Sequence, residues 1–291
     1  MSTTMTRSSA LYLLHFIVFI WGFTGILGHE ITLSAVPLVF WRTLIAFGGI
    51  ALWVLYKKQW AAISLRHMVG LIVAGLFIAM HWIAFFTAIK VSNISTALTV
   101  LSTNAIFVSL VGPWIMAKRW DWREMALGSV AVVGLVFVFN FESRYSLGIM
   151  WGLLAAFLSA TFSAINARLV RSVHSNQMAL IEIAIACFTV GCYIVLNDSI
   201  SFQIELLDSR NILLLLTLGL VATSFPFIAS IAVMRQLSPF VCAMAINMEP
   251  VYSILLALWL YGQSEWMSIG FYGGAIIIFG SVWLASMIKI K

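Results

Sequence analysis

The chain has 291 residues, 63% of them hydrophobic and 9% charged, with a net charge of +6 and a mean hydropathy of +1.06. A soluble chain of this size would lack the polar surface to cover itself, so the composition excludes an ordinary soluble domain and places the chain in lipid. The positive charge does not imply nucleic acid, because the basic residues sit in short gaps at helix ends and form no continuous patch.

Ten apolar stretches predict transmembrane helices, spans 1 to 10, at 11–28, 36–56, 67–89, 92–116, 122–140, 147–168, 177–197, 211–234, 239–261 and 267–288. A hydrocarbon core of about 30 Å needs ~20 apolar residues per helix, so little chain is left for a catalytic or nucleotide-binding module. Span 1 continues through Trp21-Gly22-Phe23-Thr24-Gly25 without an A-x-A-like site and reads as a helix, not a cleaved signal. Only the gaps 57–66 and 198–210 could hold a small surface element; the second carries Asp198, Glu205 and Asp208. Trp60, Trp120, Trp122, Trp151 and Trp266 lie at predicted helix ends, where an amphipathic ring suits the headgroup layer. Cys187, Cys192 and Cys242 fall inside spans without CxxC spacing, which supports neither a disulfide framework nor a metal site; they read as small apolar packers.

Taking the span ends with the gaps, the basic residues alternate. Arg7, Lys57, Lys58, Arg66, Lys118, Arg119, Arg123, Arg168, Arg171, Arg235, Lys289 and Lys291 fall on one side, against Lys90, Arg144 and Arg210 on the other. Lys and Arg are retained on the cytoplasmic face during insertion, so both termini are expected in the cytoplasm and the chain reads as a multi-pass protein of the cell inner (plasma) membrane.

Ala88-Ile89-Lys90-Val91-Ser92-Asn93-Ile94-Ser95-Thr96-Ala97 recurs weakly 146 positions later as Met234-Arg235-Gln236-Leu237-Ser238-Pro239-Phe240-Val241-Cys242-Ala243. Ser92/Ser238, Ala97/Ala243 and Trp120/Trp266 keep that shift, while Lys118-Arg119 becomes Ser264-Glu265 and the basic 57–66 link corresponds to the acidic 198–210 link. A second copy that has lost its cytoplasmic charges is expected when an odd number of spans is duplicated, since the copy must then insert upside down. The predicted fold is an all-α integral membrane protein of ten transmembrane helices in two inverted five-helix repeats, residues 1–140 (spans 1–5) and 147–288 (spans 6–10). Such repeats can exchange conformations around a central site and give alternating access.

With Trp21-Gly22 in span 1, Arg42 early in span 2, the Ala88-Ile89-Lys90-Val91-Ser92 link and Glu249-Pro250 midway along span 9, the chain resembles the drug/metabolite transporter superfamily in its EamA branch of ten-span carriers. The resemblance covers nearly the whole chain. It implies a secondary carrier, often an exporter of amino acids or other small metabolites, with a central cavity lined mainly by spans 1, 3, 4, 6, 8 and 9. One departure stands out: Thr103-Asn104 occupies the place of Glu249-Pro250, so the proline break often seen in span 4 of the family is displaced or absent, with Pro113 nine residues later.

Charges inside a bilayer each cost several kcal/mol unless paired or hydrated, which makes them functional candidates. Arg42 and Glu182 correspond through the repeat and lie about 9 Å from opposite membrane edges, so they are not expected to pair. Snorkelling or pairing with a helix end is their structural reading; gating or recognition of substrate charge is the functional one. Glu249 lies about 15 Å into span 9, near the midplane and inside the bundle. It reads as a substrate-amine or proton site, or as a carboxyl that fixes helix packing; capping of a neighbouring helix end would favour the second. Tyr252 and Ser253 share its face. Pro250, Gly22 and Gly25 are hinge candidates, and Gly28, Gly48 and Gly49 permit close approach.

Ser95, Thr99, Ser102 and Ser109 recur on one face of span 4, and Ser159, Ser163 and Asn166 on one face of span 6. Serine and threonine often bond their own helix, so each stripe is either cavity lining or packing. His81 and His15 are candidate proton carriers. Trp21, Thr103, Asn104 and Asn247 complete the predicted cavity, and Trp82, Phe85 and Phe86 face either it or lipid.

No G-x-x-x-x-G-K-[ST] sequence occurs to cradle phosphates, so gradient energy is expected in place of ATP. The histidines at 15, 29, 67, 81 and 174 show no metal or catalytic spacing, so no enzyme, metal or cofactor is predicted. The sequence thus points to a secondary transporter that exports small polar metabolites by alternating access. Its rivals are a channel or lipid scramblase, and a multidrug exporter of organic cations. The expected partners are a small-molecule substrate and the lipid bilayer, without nucleic acid; a monomer suffices to enclose a site, and the sequence leaves a dimer open.

Overall fold

The computed structural model describes residues 5–58 and 61–287. Trp60, Lys289 and Lys291 of the sequence reading lie outside the described residues. Among those described, the chain is helical and contains no strand. Six helices are single rods: α3 (Ala35–Lys57), α4 (Leu65–Val91), α7 (Trp122–Phe141), α8 (Ser146–Leu169), α9 (Ser175–Val195) and α14 (Ile269–Met287). The others come as interrupted pairs: α1 (Arg7–Trp21) with α2 (Thr24–Glu30), α5 (Ile94–Leu101) with α6 (Asn104–Met116), α10 (Ser209–Leu216) with α11 (Phe225–Val233), and α12 (Pro239–Ile246) with α13 (Glu249–Tyr261). These rods and pairs fall where the apolar stretches predict helices. By length and composition seven helical stretches can cross a membrane, and Met125–Phe141 and Ile269–Ser281 form shorter apolar helices.

Local chemistry sets the helix starts. Side chains of Thr6, Ser64, Asn93, Asp121, Asp208 and Ser238 accept from backbone N–H groups of the first turns that follow, at 2.7–3.4 Å. Asn93 and Ser238 do this at the matching ends of α5 and α12.

Small residues set the packing. Helix α8 buries Gly148, Gly152, Ala155, Ala156, Ala160 and Ala164, and α4, α5 and α6 pack against it. Gly134 of α7 and Gly274 of α14 meet backbone to backbone: a Cβ on Gly134 would lie 2.7 Å from the Gly274 carbonyl oxygen. Large apolar side chains such as Tyr12, Phe188 and Trp259 point outward, as a lipid-facing perimeter requires.

The principal contacts come in two-fold related sets. α3 packs on α9, α7 on α14 and α4 on α8, the last matched by α11 on α1. The interrupted pairs run antiparallel, α5 against α13 and α6 against α12, so their breaks lie side by side at the middle of the bundle.

One end of the bundle is stitched across the two halves. Glu30 pairs with Arg210 and accepts from the Tyr261 hydroxyl at 2.6 Å. Thr32 and Asn211 exchange two hydrogen bonds, Ser34 N donates to Gln203, and Trp41 Nε1 donates to the Phe202 carbonyl. The 198–210 link thereby supplies the predicted surface element, a short turn at Ile204–Leu206, which packs over the start of α3. Glu265 accepts from Ile94 N and Ser95 N at the start of α5, and Glu142 from Ser268 N just before α14.

Candidate functional site

The interruptions create the site. In span 4 the helix breaks after Leu101 without a proline: Ser102 Oγ donates to the Thr99 carbonyl at 2.5 Å and Thr103 Oγ1 to that of Val100 at 2.7 Å. In span 9 it breaks at Asn247-Met248, and Pro250 falls in the first turn of α13, where a missing N–H is harmless. Each break is flanked by an eight-residue helix before and a thirteen-residue helix after. The shift between copies is therefore 145 here (249 − 104), so Glu249 matches Asn104, correcting the pairing of Glu249 with Thr103. The proline break, expected to be displaced or absent, is absent as such, but the helix is interrupted at the matching place, where the Ser102 and Thr103 hydroxyls turn back on the chain.

Span 8 is interrupted differently. Thr217–Ser224 is π-helical, and Pro226 follows it. A proline cannot donate to the carbonyl four residues back, and that carbonyl, Ala222 O, accepts from Trp21 Nε1 at 3.2 Å. The widened turn also directs Thr223 and Ser224 towards α3. Thr223 donates its hydroxyl proton to the Leu218 carbonyl at 2.6 Å, which leaves its oxygen to accept Arg42 Nε at 2.9 Å.

Span 1 breaks at Gly22, whose carbonyl accepts from Ser253 Oγ. A Cβ there would lie 2.8 Å from the Tyr252 Cβ, so only glycine lets α13 approach this closely.

These irregular segments, with α3, α4 and α8, line a central cavity of about 90 Å³. A water needs roughly 10–15 Å³ of such space, so several waters or part of a small solute fit. Trp21, Thr24, Arg42, His81, Asn104, Ser163, Asn166 and Glu249 line it, together with Ser159, Thr223 and Ser230. Its apolar walls include Trp82, Phe85, Phe162 and Phe227.

Two charges face this space from different halves. Arg42 is 3% exposed, so it does not snorkel; its guanidinium lies 4.2 Å from the Trp82 ring centre and 5.3 Å from that of Phe86. Its Nη1 has no hydrogen-bond partner. Glu249 stands in the first turn of α13, where the helix dipole favours negative charge, and among the described residues it caps no neighbouring helix. Arg42 and Glu249 interact electrostatically without a direct ion pair. Glu182, the counterpart of Arg42, lies outside the cavity wall, is fully buried, and accepts from Asn166 Nδ2 at 3.0 Å. The two do not pair, as the sequence predicts.

Of the other candidates, His81 donates from Nδ1 to the Ala155 carbonyl at 2.8 Å and stacks on Phe85. Asn104 Nδ2 donates to the Ala156 carbonyl at 3.3 Å. His15 is exposed on the perimeter and away from the cavity. Ser102 and Thr103 are spent on the break, Ser109 bonds its own helix, and Ser95 turns to Glu265, so the span 4 stripe packs and does not line. Asn247 is buried beside its break with Nδ2 unpartnered, Tyr252 packs its ring on Phe19, and Gly25 packs against Ile94 and Leu98; none of the three lines the cavity. Sequence reasoning missed Thr223, Phe162, Phe227 and Ser230; Pro226 was the available signal for the first.

A family model described as the EamA-like transporter family matches residues 8–140 and 146–287. A solved crystal structure superposes with a TM-score of 0.71 at 17% identity, covering 98% of this chain and 100% of that one, which shows the fold. No curated protein matches the chain significantly by sequence. The chain belongs to the EamA-like transporter family, and is a multi-pass membrane transporter of the drug/metabolite type.

Proposed function

We propose that this EamA-like transporter is a secondary carrier of small zwitterionic metabolites, amino acids foremost, working by alternating access of two inverted five-span halves, residues 1–140 and 147–288. Both termini are then cytoplasmic, the membrane is the cell inner membrane, and net movement is outward. Seven long apolar helices, two shorter ones and the interrupted α12–α13 pair support a reading of ten spans.

One observation carries the cargo reading: Arg42 and Glu249 face one cavity from opposite halves without a direct ion pair. A zwitterion supplies what each lacks, a carboxylate for the free Nη1 of Arg42 and an ammonium for Glu249. His81, Asn104, Ser163 and Asn166 offer further hydrogen bonds, and the aromatic wall suits an apolar side chain. Because the two charges belong to different halves, a bound zwitterion bridges them, which ties occupancy to their relative position.

The test is counterflow in proteoliposomes loaded with unlabelled leucine, methionine and phenylalanine and challenged with each labelled compound. Trans-stimulated uptake marks a carrier of these cargoes. Conductance without trans-stimulation would mark a channel, lipid exchange a scramblase, and inhibition by organic cations alone a cation exporter.

A further inference from the structure

Beside the cavity Glu182, which does not line it, is paired with Asn166, which does. Glu182 of α9 and Asn166 of α8 are 0% and 1% exposed, and Asn166 Nδ2 donates to Glu182 Oε2 at 3.0 Å. Two atoms of this pair have no partner: Glu182 Oε1 and Asn166 Oδ1. Both are acceptors, so neither can satisfy the other. What they lack is one hydrogen.

No neighbouring cation replaces it. The charged or titratable groups on helices packed against α9 are Arg42, Tyr56 and Lys57 on α3, and Arg66, His67, His81 and Lys90 on α4; α11 carries none, and α8 adds Arg168. Among the described residues none of these forms an ion pair or hydrogen bond with Glu182. A carboxylate in so apolar a place with a single hydrogen bond is costly, whereas a carboxyl that donates from Oε1 to Asn166 Oδ1 would close a two-bond acid–amide pair.

We propose that Glu182 is a proton-binding site of the carrier, linked to the cargo cavity through Asn166. The proposal rests on the carrier reading above. The proton comes from water in the cavity, forms an O–H bond on Oε1, and returns to water when the pair opens. Asn166 is the switch because it belongs to both places: it bonds Glu182 and lines the cavity. With Glu182 protonated, both ends of its amide are held. With the proton gone, Asn166 Oδ1 is free to accept from the ammonium of a zwitterion. Proton and cargo then compete for one oxygen, which makes the carrier an exchanger of one for the other.

Proteoliposomes with an imposed pH gradient test this with labelled leucine, methionine and phenylalanine, comparing wild type with Glu182→Gln, whose amide mimics the protonated pair. Wild type should accumulate label against its gradient, whereas the variant, with Asn166 Oδ1 permanently held, should need a higher amino acid concentration for counterflow and show no pH-driven accumulation. pH-driven accumulation retained by the variant would overturn the proton site, while absence of counterflow in the wild type would overturn the carrier reading instead. Should the variant not fold, detergent-solubilised wild type in weakly buffered solution decides: addition of these amino acids should release protons to a pH dye, and binding without release overturns the proposal.

Discussion

Asn104 and Glu249 occupy the same step of the two halves, each the first residue of a thirteen-residue helix that follows an eight-residue helix and a two-residue break. Both line the cavity, but Asn104 donates to the Ala156 carbonyl whereas, among the described residues, no side-chain hydrogen bond holds Glu249. The duplicated position is tied to α8 in one copy and, among the described residues, to no neighbour by a hydrogen bond in the other.

Glu249→Gln should therefore separate cargo binding from stability. A carboxylate that meets an ammonium in a desolvated site contributes about 2–5 kcal/mol, so the half-saturating concentration of amino acid should rise at least roughly 10-fold. Thermal unfolding of the purified variant should stay close to wild type, since no internal bond is lost. A large drop in melting temperature with unchanged transport would return Glu249 to a packing role.

Arg42→Lys keeps the charge but loses the fork. Lysine cannot hold Thr223 with one nitrogen, present another to the cavity and lie flat on Trp82. Amino acid exchange should weaken about 10- to 100-fold, while inhibition by the decarboxylated amines, which offer no carboxylate, should change little. Equal loss for both ligand types would mean that Arg42 acts on the shape of the cavity.

Thr223 reaches Arg42 only because the helix is π-helical there. Thr223→Val keeps the volume and removes the oxygen, leaving Arg42 with a second unpartnered nitrogen at a cost of about 1–3 kcal/mol. Exchange should fall on the order of 10-fold, and Thr223→Ser should recover most of it.

These residues also mark where sequence reading stops. Helix positions and the two-copy organisation are legible because the apolar runs and charges repeat, and the midplane place of Glu249 follows from counting along span 9. The direction of Arg42 is not, because depth from the helix end predicts snorkelling, whereas the rings of Trp82 and Phe86 and the Thr223 hydroxyl draw it inward. The span 4 serines mislead for the opposite reason: i, i+4 spacing places them on one face, but hydroxyls there are consumed by the helix break and by Glu265. Position along a helix is written in sequence; the partner that captures a side chain belongs to another helix.

Glu265 is one such partner. Its carboxylate accepts Ile94 N at 3.1 Å, Ser95 N at 2.9 Å and Ser95 Oγ at 2.8 Å, binding the start of α5 to the other half. Glu265→Ala should lower stability by about 2–4 kcal/mol, because buried donors lose a charged acceptor. Glu265→Gln, which keeps one acceptor oxygen, should fall between. Thermal unfolding in detergent reads both.

The stitched end bears on alternating access itself. Glu30 with Arg210 and Tyr261, and Thr32 with Asn211, all join residues of opposite halves, so a carrier that opens at this end must break them together. Each such polar link is worth only about 1 kcal/mol, which suits contacts that must form and part in every cycle. Joining the halves covalently removes that freedom. In a background with Cys187, Cys192 and Cys242 replaced by alanine, Thr32→Cys with Asn211→Cys, bridged by a short thiol-cleavable cross-linker, should lose counterflow and regain it on reduction. Each single cysteine, treated alike, should keep exchanging. If the bridged protein still exchanges cargo, this end does not part during transport, and the cavity must communicate with both sides of the membrane by another route.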